Sequence, residues 1–355
     1  MYDVHVVGAG PSGSVAATSA ARKGYNVLLS EEHECAGKPV HCSGLFSKTG
    51  LESIKEFVDY EKLIVNSMKG AVLDFAGEKL EVRTKDTIAY VCDRGGLDEA
   101  IAANAEREGV KIEFGKKVSG GYQAERIVGA DGPFSHVAAN FGFPKVKEYV
   151  STIQAHVKYR SETPDMVEVF ISNEKFPGLF GWIIPHDEDM AEFGVGVSLP
   201  QHSSTRAWNA LLKMKCVEYS GELGGAVIPI AVRSKTAGFF GKQKVFLVGD
   251  AAGQVKSTTG GGVVFGANCA RYAGIHCDNP LRYELEWRAR FGLDLFAHRQ
   301  VHDYIYRKSD HQLRTLGARI RRMELDKFLS NHGHMDKPTK MIRPELIGHF
   351  VQALG

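Results

Sequence analysis

The sequence lacks any apolar run of the roughly 18 residues that a membrane-spanning helix requires. Its first residues show no secretory signal, and it contains no internal repeat or low-complexity tract. Its 6 cysteines form no CxxC pair and no zinc-finger spacing. We therefore expect free thiols, no metal site and a cytoplasmic location. The formal net charge is only +2, which argues against a general nucleic-acid binder.

The most specific pattern is a glycine turn between a predicted strand and a predicted helix. Residues 2–7 are apolar and β-branched, and an alanine-rich stretch follows over residues 14–22. A second apolar strand ends at Glu31, whose carboxylate is expected to accept hydrogen bonds from ribose hydroxyls. The turn between them reads Gly8-Ala9-Gly10-Pro11-Ser12-Gly13. This order predicts a βαβ unit that binds a dinucleotide.

Each part of the turn has a physical task. Gly8 permits a tight bend, Gly10 lets a pyrophosphate approach the backbone, and Gly13 lets helix and strand pack closely. The helix that starts at Pro11 and Ser12 offers free N–H groups and a partial positive charge to phosphates.

Two further glycine signals lie far downstream. A buried strand runs into Asp131-Gly132, and another ends in Gly249-Asp250, whose carboxylate can bind a sugar-alcohol hydroxyl. The triplet Gly260-Gly261-Gly262 starts one more helix, whose N–H groups are expected to face a flavin pyrimidine ring. Together with the turn at Gly8–Gly13, the motifs Asp131-Gly132 and Gly249-Asp250 favour FAD over NAD as the cofactor.

From about residue 150 apolar and polar residues alternate, which predicts a mostly antiparallel sheet with one covered face. We predict an α/β fold in which this sheet is inserted into a Rossmann-like FAD-binding domain. The FAD-binding domain is predicted over residues 1–68, 84–148 and 236–280, the substrate-binding sheet over 69–83 and 149–235, and helices over 281–355. In the predicted helix 97–108, Asp98, Glu99 and Glu106 are assigned to the outer face.

These glycine motifs resemble those of the flavoprotein group that includes p-hydroxybenzoate hydroxylase. In that group the first motif holds the ADP half of FAD, Gly-Asp holds the ribitol, and Asp-Gly supports the pyrophosphate region. Cys92-Asp93-Arg94 with Leu97-Asp98 resembles a helix start of the same group. The resemblance implies that Arg94 lies near FAD; a surface helix residue is the alternative.

Within this group the chain resembles the archaeal and photosynthetic geranylgeranyl reductases. The likeness covers roughly residues 1–280 and is carried by three stretches: the loop Gly37–Leu45, the aromatic segment Phe176–Pro185 and the run Lys256–Gly262. Phe180 and Ile184 stand where the family has Tyr and Phe, and Ser257 stands where it has Pro. These departures and a short C-terminal region leave the exact lipid substrate open.

The resemblance implies hydrogenation of isoprenoid carbon–carbon double bonds, by hydride from flavin N5 and a proton. It places Cys42 beside the flavin, where a neutral thiol can donate a proton or shape the site; a small buried hydrophobe is the alternative. His41 is a second candidate acid. The implied substrate wall is apolar, with ordinary sheet core as the alternative, and consists of Phe176, Phe180, Trp182 and Ile184.

Partners follow from the same resemblance: an isoprenoid lipid, and NADPH or reduced ferredoxin as electron donor. A basic amphipathic helix around Arg319, Arg321 and Arg322 suggests contact with an anionic membrane; a solvated helix face is the alternative. Two other functions remain open at this point. One is an FAD-dependent monooxygenase or halogenase, and the other is an electron-transfer flavoprotein.

Overall fold

A computed structural model describes residues 1–333 and 336–341 of the chain. Its α-helices are α1 (Pro11–Ala21), α2 (Lys48–Glu52), α3 (Arg94–Arg107), α4 (His136–Asn140), α5 (Ser204–Lys215), α6 (Val263–Ile275), α7 (Pro280–Trp287), α8 (Leu293–Tyr306), α9 (Asp310–Arg322) and α10 (Leu325–His332). One π-helical turn, Arg288–Gly292, joins α7 to α8 without a break.

The strands form three sheets. They are β1 (Val4–Val7), β2 (Val27–Ser30), β3 (Leu45–Ser47), β4 (Ile64–Met68), β5 (Gly70–Phe75), β6 (Glu78–Arg83), β7 (Ala89–Cys92), β8 (Lys111–Glu113), β9 (Arg126–Gly129), β10 (Tyr149–Lys158), β11 (Met166–Ile171), β12 (Gly181–Pro185), β13 (Met190–Ser198), β14 (Gly224–Pro229), β15 (Ala237–Phe240) and β16 (Gln243–Leu247). The smallest sheet has the order β3-β7-β4.

The first sheet has the order β15-β16-β9-β1-β2-β8, and all its pairings are parallel except β15 with β16. Two of its inner strands, β1 and β2, are fully buried, as their continuous apolar sequence predicts. Because the carboxyl ends of parallel strands meet at one edge, the glycine motifs after β1, β9 and β16 lie side by side. The predicted Rossmann-like fold is confirmed.

The second sheet has the order β14-β10-β13-β12-β11-β5-β6, and only its β5–β11 pairing is parallel. One face packs against α5 around Trp208, Leu211 and Phe193. The opposite face carries Trp182 and Ile184 and lines a cavity. The prediction of a mostly antiparallel sheet is confirmed.

Helix α3 corrects one expectation. Asp98 was assigned to its outer face, but it is only 5% exposed and accepts a hydrogen bond from Arg94 Nη2 at 2.7 Å. Residues four apart lie on one helix face, and here that face points inward, so the two charges are buried together. The helix begins at Arg94 rather than at Leu97 because Asp93 caps it by accepting from Gly96 N–H.

Helix α9 shows why its sequence is amphipathic. Its apolar side, Leu313 and Leu316 with Ile320, packs against Phe75 and Leu80 of β5 and β6. Arg321 forms an ion pair with Glu78 at 2.9 Å. The apolar face is therefore covered by protein and is not left for a membrane. Among the described residues, no helix is long and apolar enough to cross a bilayer.

The predicted division into an FAD-binding domain, a substrate-binding sheet and C-terminal helices stays a proposal. It accords with the two large sheets, because β5, β6 and β10 to β14 form one of them and β1, β2, β8, β9, β15 and β16 form the other. The predicted helical region 281–355 extends beyond residue 341 and lies partly outside the described residues.

Candidate active site

A cavity of about 980 Å³ lies between the carboxyl edge of the parallel sheet and the free face of the antiparallel sheet. Its walls include backbone and side chains from each predicted cofactor motif: Gly10, Pro11, Ser12, Arg94, Ala130, Gly132, Asp250, Gly260, Gly261 and Gly262. Residues separated by 250 positions thus surround one space. This convergence is what a cofactor held by all three motifs requires.

The first glycine turn fits a pyrophosphate. A side chain at Gly13 would overlap the carbonyl oxygen of Gly8, and one at Gly8 would overlap that of Ala130. The φ of Gly8 is +100°, a conformation that favours glycine. These two glycines therefore hold β1, α1 and β9 together. A Cβ at Gly10, by contrast, would meet no described atom within 4 Å. The open backbone at Gly10 is the place where a phosphate can approach the N-terminus of α1.

Glu31 lies at the end of β2 and is 8% exposed. Its carboxylate accepts from the Ala9 N–H at 2.7 Å and the His33 N–H at 3.0 Å. These bonds fix the carboxylate beside the glycine turn. An ionised carboxylate can accept further bonds, so binding of ribose hydroxyls remains compatible with this geometry.

Asp131 has a different task from its neighbours. Its carboxylate accepts from Ser135 Oγ at 2.5 Å and from Val137 N–H at 3.0 Å, so it stabilises the start of α4. The backbone on either side, Ala130 and Gly132, lines the cavity. The motif therefore contributes backbone to the site while its side chain supports the loop.

Arg94 is the central cation of the site. Its side chain is only 14% exposed, so it is not a surface residue of the helix start, and its Nε has no hydrogen-bond partner among the described residues. Burial lowers its pKa, but Asp98, Cys42 and Asp250 outweigh that effect and hold the guanidinium charged. Burial also raises the pKa of Asp250 to about 6, although the charge of Arg94 opposes this. An unpartnered donor at this position fits a polar cofactor.

Cys42 and His41 both line the cavity. Burial raises the pKa of the Cys42 thiol, even though the nearby positive charge of Arg94 acts in the opposite direction. Burial, with the charges of His33 and Arg94, lowers the pKa of His41. At neutral pH the thiol therefore keeps its proton and the imidazole is mostly neutral.

The glycine triplet begins α6 at the cavity, as predicted. Two of its N–H groups are used within the turn: Gly260 donates to the Lys256 carbonyl and Gly261 to Thr259 Oγ1. The first turn of α6, after the N-cap Gly262, supplies the remaining N–H groups. The positive end of this helix therefore borders the cavity.

Sequence reasoning missed an ion pair in this wall. Lys256 Nζ lies 2.7 Å from Asp336 Oδ1, both side chains are about 10% exposed, and Ser47 also donates to Asp336. Lys256 is the first residue of the segment Lys256–Gly262 that resembles geranylgeranyl reductases, so the sequence could have marked it as a site residue. Asp336 belongs to the C-terminal region, where no motif marked it.

Trp182 dominates the sheet side of the cavity. Its indole N–H donates to Glu192 Oε1 at 3.0 Å, and its ring covers Gly194, where any side chain would overlap it. Phe180 packs edge-to-face on Trp182, with ring centroids 5.8 Å apart. Ile184 continues the same apolar wall. Three of the four predicted wall residues therefore face the cavity.

Phe176 is the exception. It is fully buried and packs in the core between the antiparallel sheet and α5, beneath Gly181. It precedes β12 and turns to the covered face, so it is core rather than cavity wall. Alternation along a strand predicts which face of the sheet a side chain points to, but β12 begins only at Gly181. The motif alone therefore could not predict the direction of Phe176.

The two glycines of the turn permit a test that separates packing from cofactor binding. Gly13→Ala is expected to lower the free energy of unfolding by about 3 kcal/mol, because its Cβ has no room. Gly10→Ala is expected to cost less than about 1 kcal/mol. It should nevertheless weaken FAD binding by about tenfold or more, equivalent to about 1.4 kcal/mol.

The measurements are urea unfolding of the apoprotein and titration of FAD by flavin fluorescence. Gly120→Ala is the control, because a Cβ there comes no closer than 4.0 Å to Asn140. Unchanged FAD affinity in Gly10→Ala would contradict this assignment of the phosphate site.

Comparison with known proteins accords with this geometry. Residues 3–132 match the family model described as FAD dependent oxidoreductase. The chain is 27% identical to the digeranylgeranylglycerophospholipid reductase of Methanocaldococcus jannaschii, over 100% of this chain and 98% of that protein. A geranylgeranyl bacteriochlorophyll reductase-like protein from Thermoplasma acidophilum superimposes with a TM-score of 0.77 at 22% identity, covering 90% and 91% of the two chains.

A flavin-dependent brominase shares the fold with a lower TM-score of 0.63 at 17% identity, covering 99% of this chain and 100% of the other. At such identities the structural likeness shows the fold alone. The full-length sequence similarity and the three converging motifs also bear on the cofactor and on the class of enzyme. They confirm the predicted FAD cofactor and the resemblance to geranylgeranyl reductases, and the chain is an FAD-dependent oxidoreductase.

Proposed function

We propose that this oxidoreductase hydrogenates carbon–carbon double bonds in the isoprenoid chains of membrane lipid precursors. The observation that carries the proposal is the cavity itself. It joins the cofactor motifs to an apolar wall that includes Phe180, Trp182, Ile184, Val169 and Leu73. A wall of this kind suits a flexible hydrocarbon, which offers no polar group for recognition.

The predicted alternatives fit less well. A monooxygenase or halogenase shares the fold, but the sequence similarity over the whole chain is to reductases. Electron-transfer flavoproteins often carry additional iron–sulfur cysteines, and the six cysteines of this sequence show no such spacing. The reductase is therefore the better candidate.

The chain's own residues would perform three tasks. When bound, FAD supplies the hydride for the reduction. The aromatic wall holds the alkene in place and excludes water, which would otherwise compete for the reactive carbon. Cys42, whose thiol stays protonated at neutral pH, is the proposed proton donor, and His41 is the second candidate. We further propose NADPH or reduced ferredoxin as the source of electrons.

The function is tested by supplying the substrate directly. The purified protein, reduced with dithionite under anaerobic conditions, is expected to add pairs of hydrogen atoms to a digeranylgeranyl glycerophospholipid. Mass spectrometry of the extracted lipid measures the gain. A lipid recovered without added hydrogen would contradict the proposal. If a separate aerobic assay also showed NADPH-dependent oxygen consumption stimulated by a small aromatic compound, the result would favour a monooxygenase instead.

The role of Cys42 is tested by its removal. Cys42→Ala is expected to lower the hydrogenation rate about 100-fold, as loss of a general acid does, while FAD content is unchanged. Because burial raises the thiol pKa, the wild-type rate should fall only above the ordinary cysteine value of about 8.5. This decline should be absent in Cys42→Ala.

Cys35→Ala is the matched control, since Cys35 is a partly buried thiol of the same loop that does not line the cavity. Full activity in Cys42→Ala would exclude the thiol as proton donor and leave His41 as the candidate.

A membrane contact, if the lipid is taken from a bilayer, has a better location than the predicted basic helix. Leu281 and Leu285 on α7 and Leu293 and Phe296 on α8 are 59–71% exposed. At about 100° per residue, and with the wider π-helical turn between them, these side chains share one face. Val301, further along α8, is 45% exposed and also lines the cavity. Helix α8 thus carries part of the apolar stripe and also borders the cavity, and we propose that the stripe enters the lipid surface.

Replacing Leu285 and Phe296 together by Glu is expected to abolish co-sedimentation with vesicles containing anionic phospholipid, because two carboxylates cannot enter the apolar layer. Activity on detergent-dispersed lipid should be retained, because neither residue lines the cavity. Leu223→Glu is the control at an exposed leucine elsewhere. Equal sedimentation of the double variant and the wild type would exclude this stripe.

A further inference from the structure

Three side chains with metal-binding groups lie together on the antiparallel sheet, and none of them lines the cavity. His156 of β10 pairs directly with Glu192 of β13, and Ile184 of β12 pairs with Glu192 from the other side. Directly paired residues point to the same face, and His186 follows Ile184 by two residues. The sheet therefore brings two imidazoles and one carboxylate to a single face from three separate segments.

The donor atoms are close enough for one ion. One donor atom from each of the three residues lies within 4.8 Å of the other two. His156 Nε2 is 3.9 Å from Glu192 Oε2, and the two imidazole centroids are 4.5 Å apart. Donors on one metal ion, bound at about 2.0–2.2 Å, lie roughly 3–3.5 Å from each other. A small rotation of His156, whose side chain is 59% exposed, closes the difference.

Two of the three groups are already held in position. Glu192 is 3% exposed, and its Oε1 accepts from the Trp182 indole, so Oε2 is the oxygen turned to His156. His186 Nε2 is buried and has no hydrogen-bond partner among the described residues. The backbone of His186 donates to the Met190 carbonyl at 2.9 Å, which fixes the turn that carries it.

We propose that His156, His186 and Glu192 bind a divalent transition-metal ion of the Zn²⁺ class. Two imidazoles with one carboxylate favour such an ion over Mg²⁺ or Ca²⁺, which prefer oxygen ligands. The exposed side of His156 leaves positions for water. The adjacent exposed turn, Asp187-Glu188-Asp189, adds negative charge that attracts a cation.

Binding would have a consequence for the cavity. The ion would join β10 to the β12–β13 hairpin and would fix the carboxylate that accepts from Trp182. Trp182 is a cavity wall residue, so its orientation would depend on the metal. The inference is independent of the reaction catalysed, because it rests only on the sheet register and these side chains.

The test uses the untagged holoprotein after treatment with a chelator. Calorimetric titration with Zn²⁺ should show one tight site, and zinc X-ray absorption should show nitrogen and oxygen neighbours at about 2.0–2.2 Å. His156→Gln and His186→Gln should each weaken binding by about 100-fold, and Trp182→Phe, which removes the bond to the ligating carboxylate, by about tenfold. The Zn²⁺-dependent rise in Tm should be lost with the affinity.

His156→Gln is the most informative variant, because the exposed side chain of His156 can be replaced without disturbing the core. His202→Gln, at an exposed histidine elsewhere, should bind Zn²⁺ like the wild type. Wild-type affinity in His156→Gln, no binding by the wild type, or sulfur neighbours at about 2.3 Å would each overturn the proposal.

Discussion

The close approach of three backbone segments at Gly8, Gly13 and Ala130 is the constraint on which the rest of the site depends. No side chain fits between the β1–α1 turn and the loop after β9, so the two segments stay in direct contact. This contact sets the N-terminus of α1 beside the ends of β9 and β16. The open backbone at Gly10, the cation of Arg94 and the carboxylate of Asp250 then face one space. This arrangement is compatible with the binding of a dinucleotide along that space.

The cavity also needs a wall opposite the cofactor motifs. The antiparallel sheet supplies it by covering one face with α5 and leaving the other apolar and free. Trp182 is held flat on this free face by Gly194 beneath it and Glu192 beside it. The contacts on both sides of Trp182 hold this apolar wall in one arrangement, which suits the proposed alignment of a hydrocarbon without polar anchors.

The charged groups of the site are paired with one another. Arg94 offsets the burial of Asp98 and Asp250 and lies beside the Cys42 thiol, so one cation serves several buried groups. The C-terminal Asp336 similarly meets Lys256 in the wall. The site is therefore closed by segments from both ends of the chain, and its electrostatics cannot be assigned to any single motif.

Local patterns were enough to predict the FAD cofactor, because glycine turns after strands are local and each glycine has a separate steric reason. The sequence also predicted Trp182, Phe180 and Ile184 as wall residues from a short segment. Features that depend on the direction in which a face points, or on residues distant in sequence, became visible only in the folded chain. The Asp98 side chain points inward, and Phe176 lies in the core. The apolar side of α9 packs against β5 and β6. His156, His186 and Glu192 have no revealing spacing, since strand pairing alone brings them together.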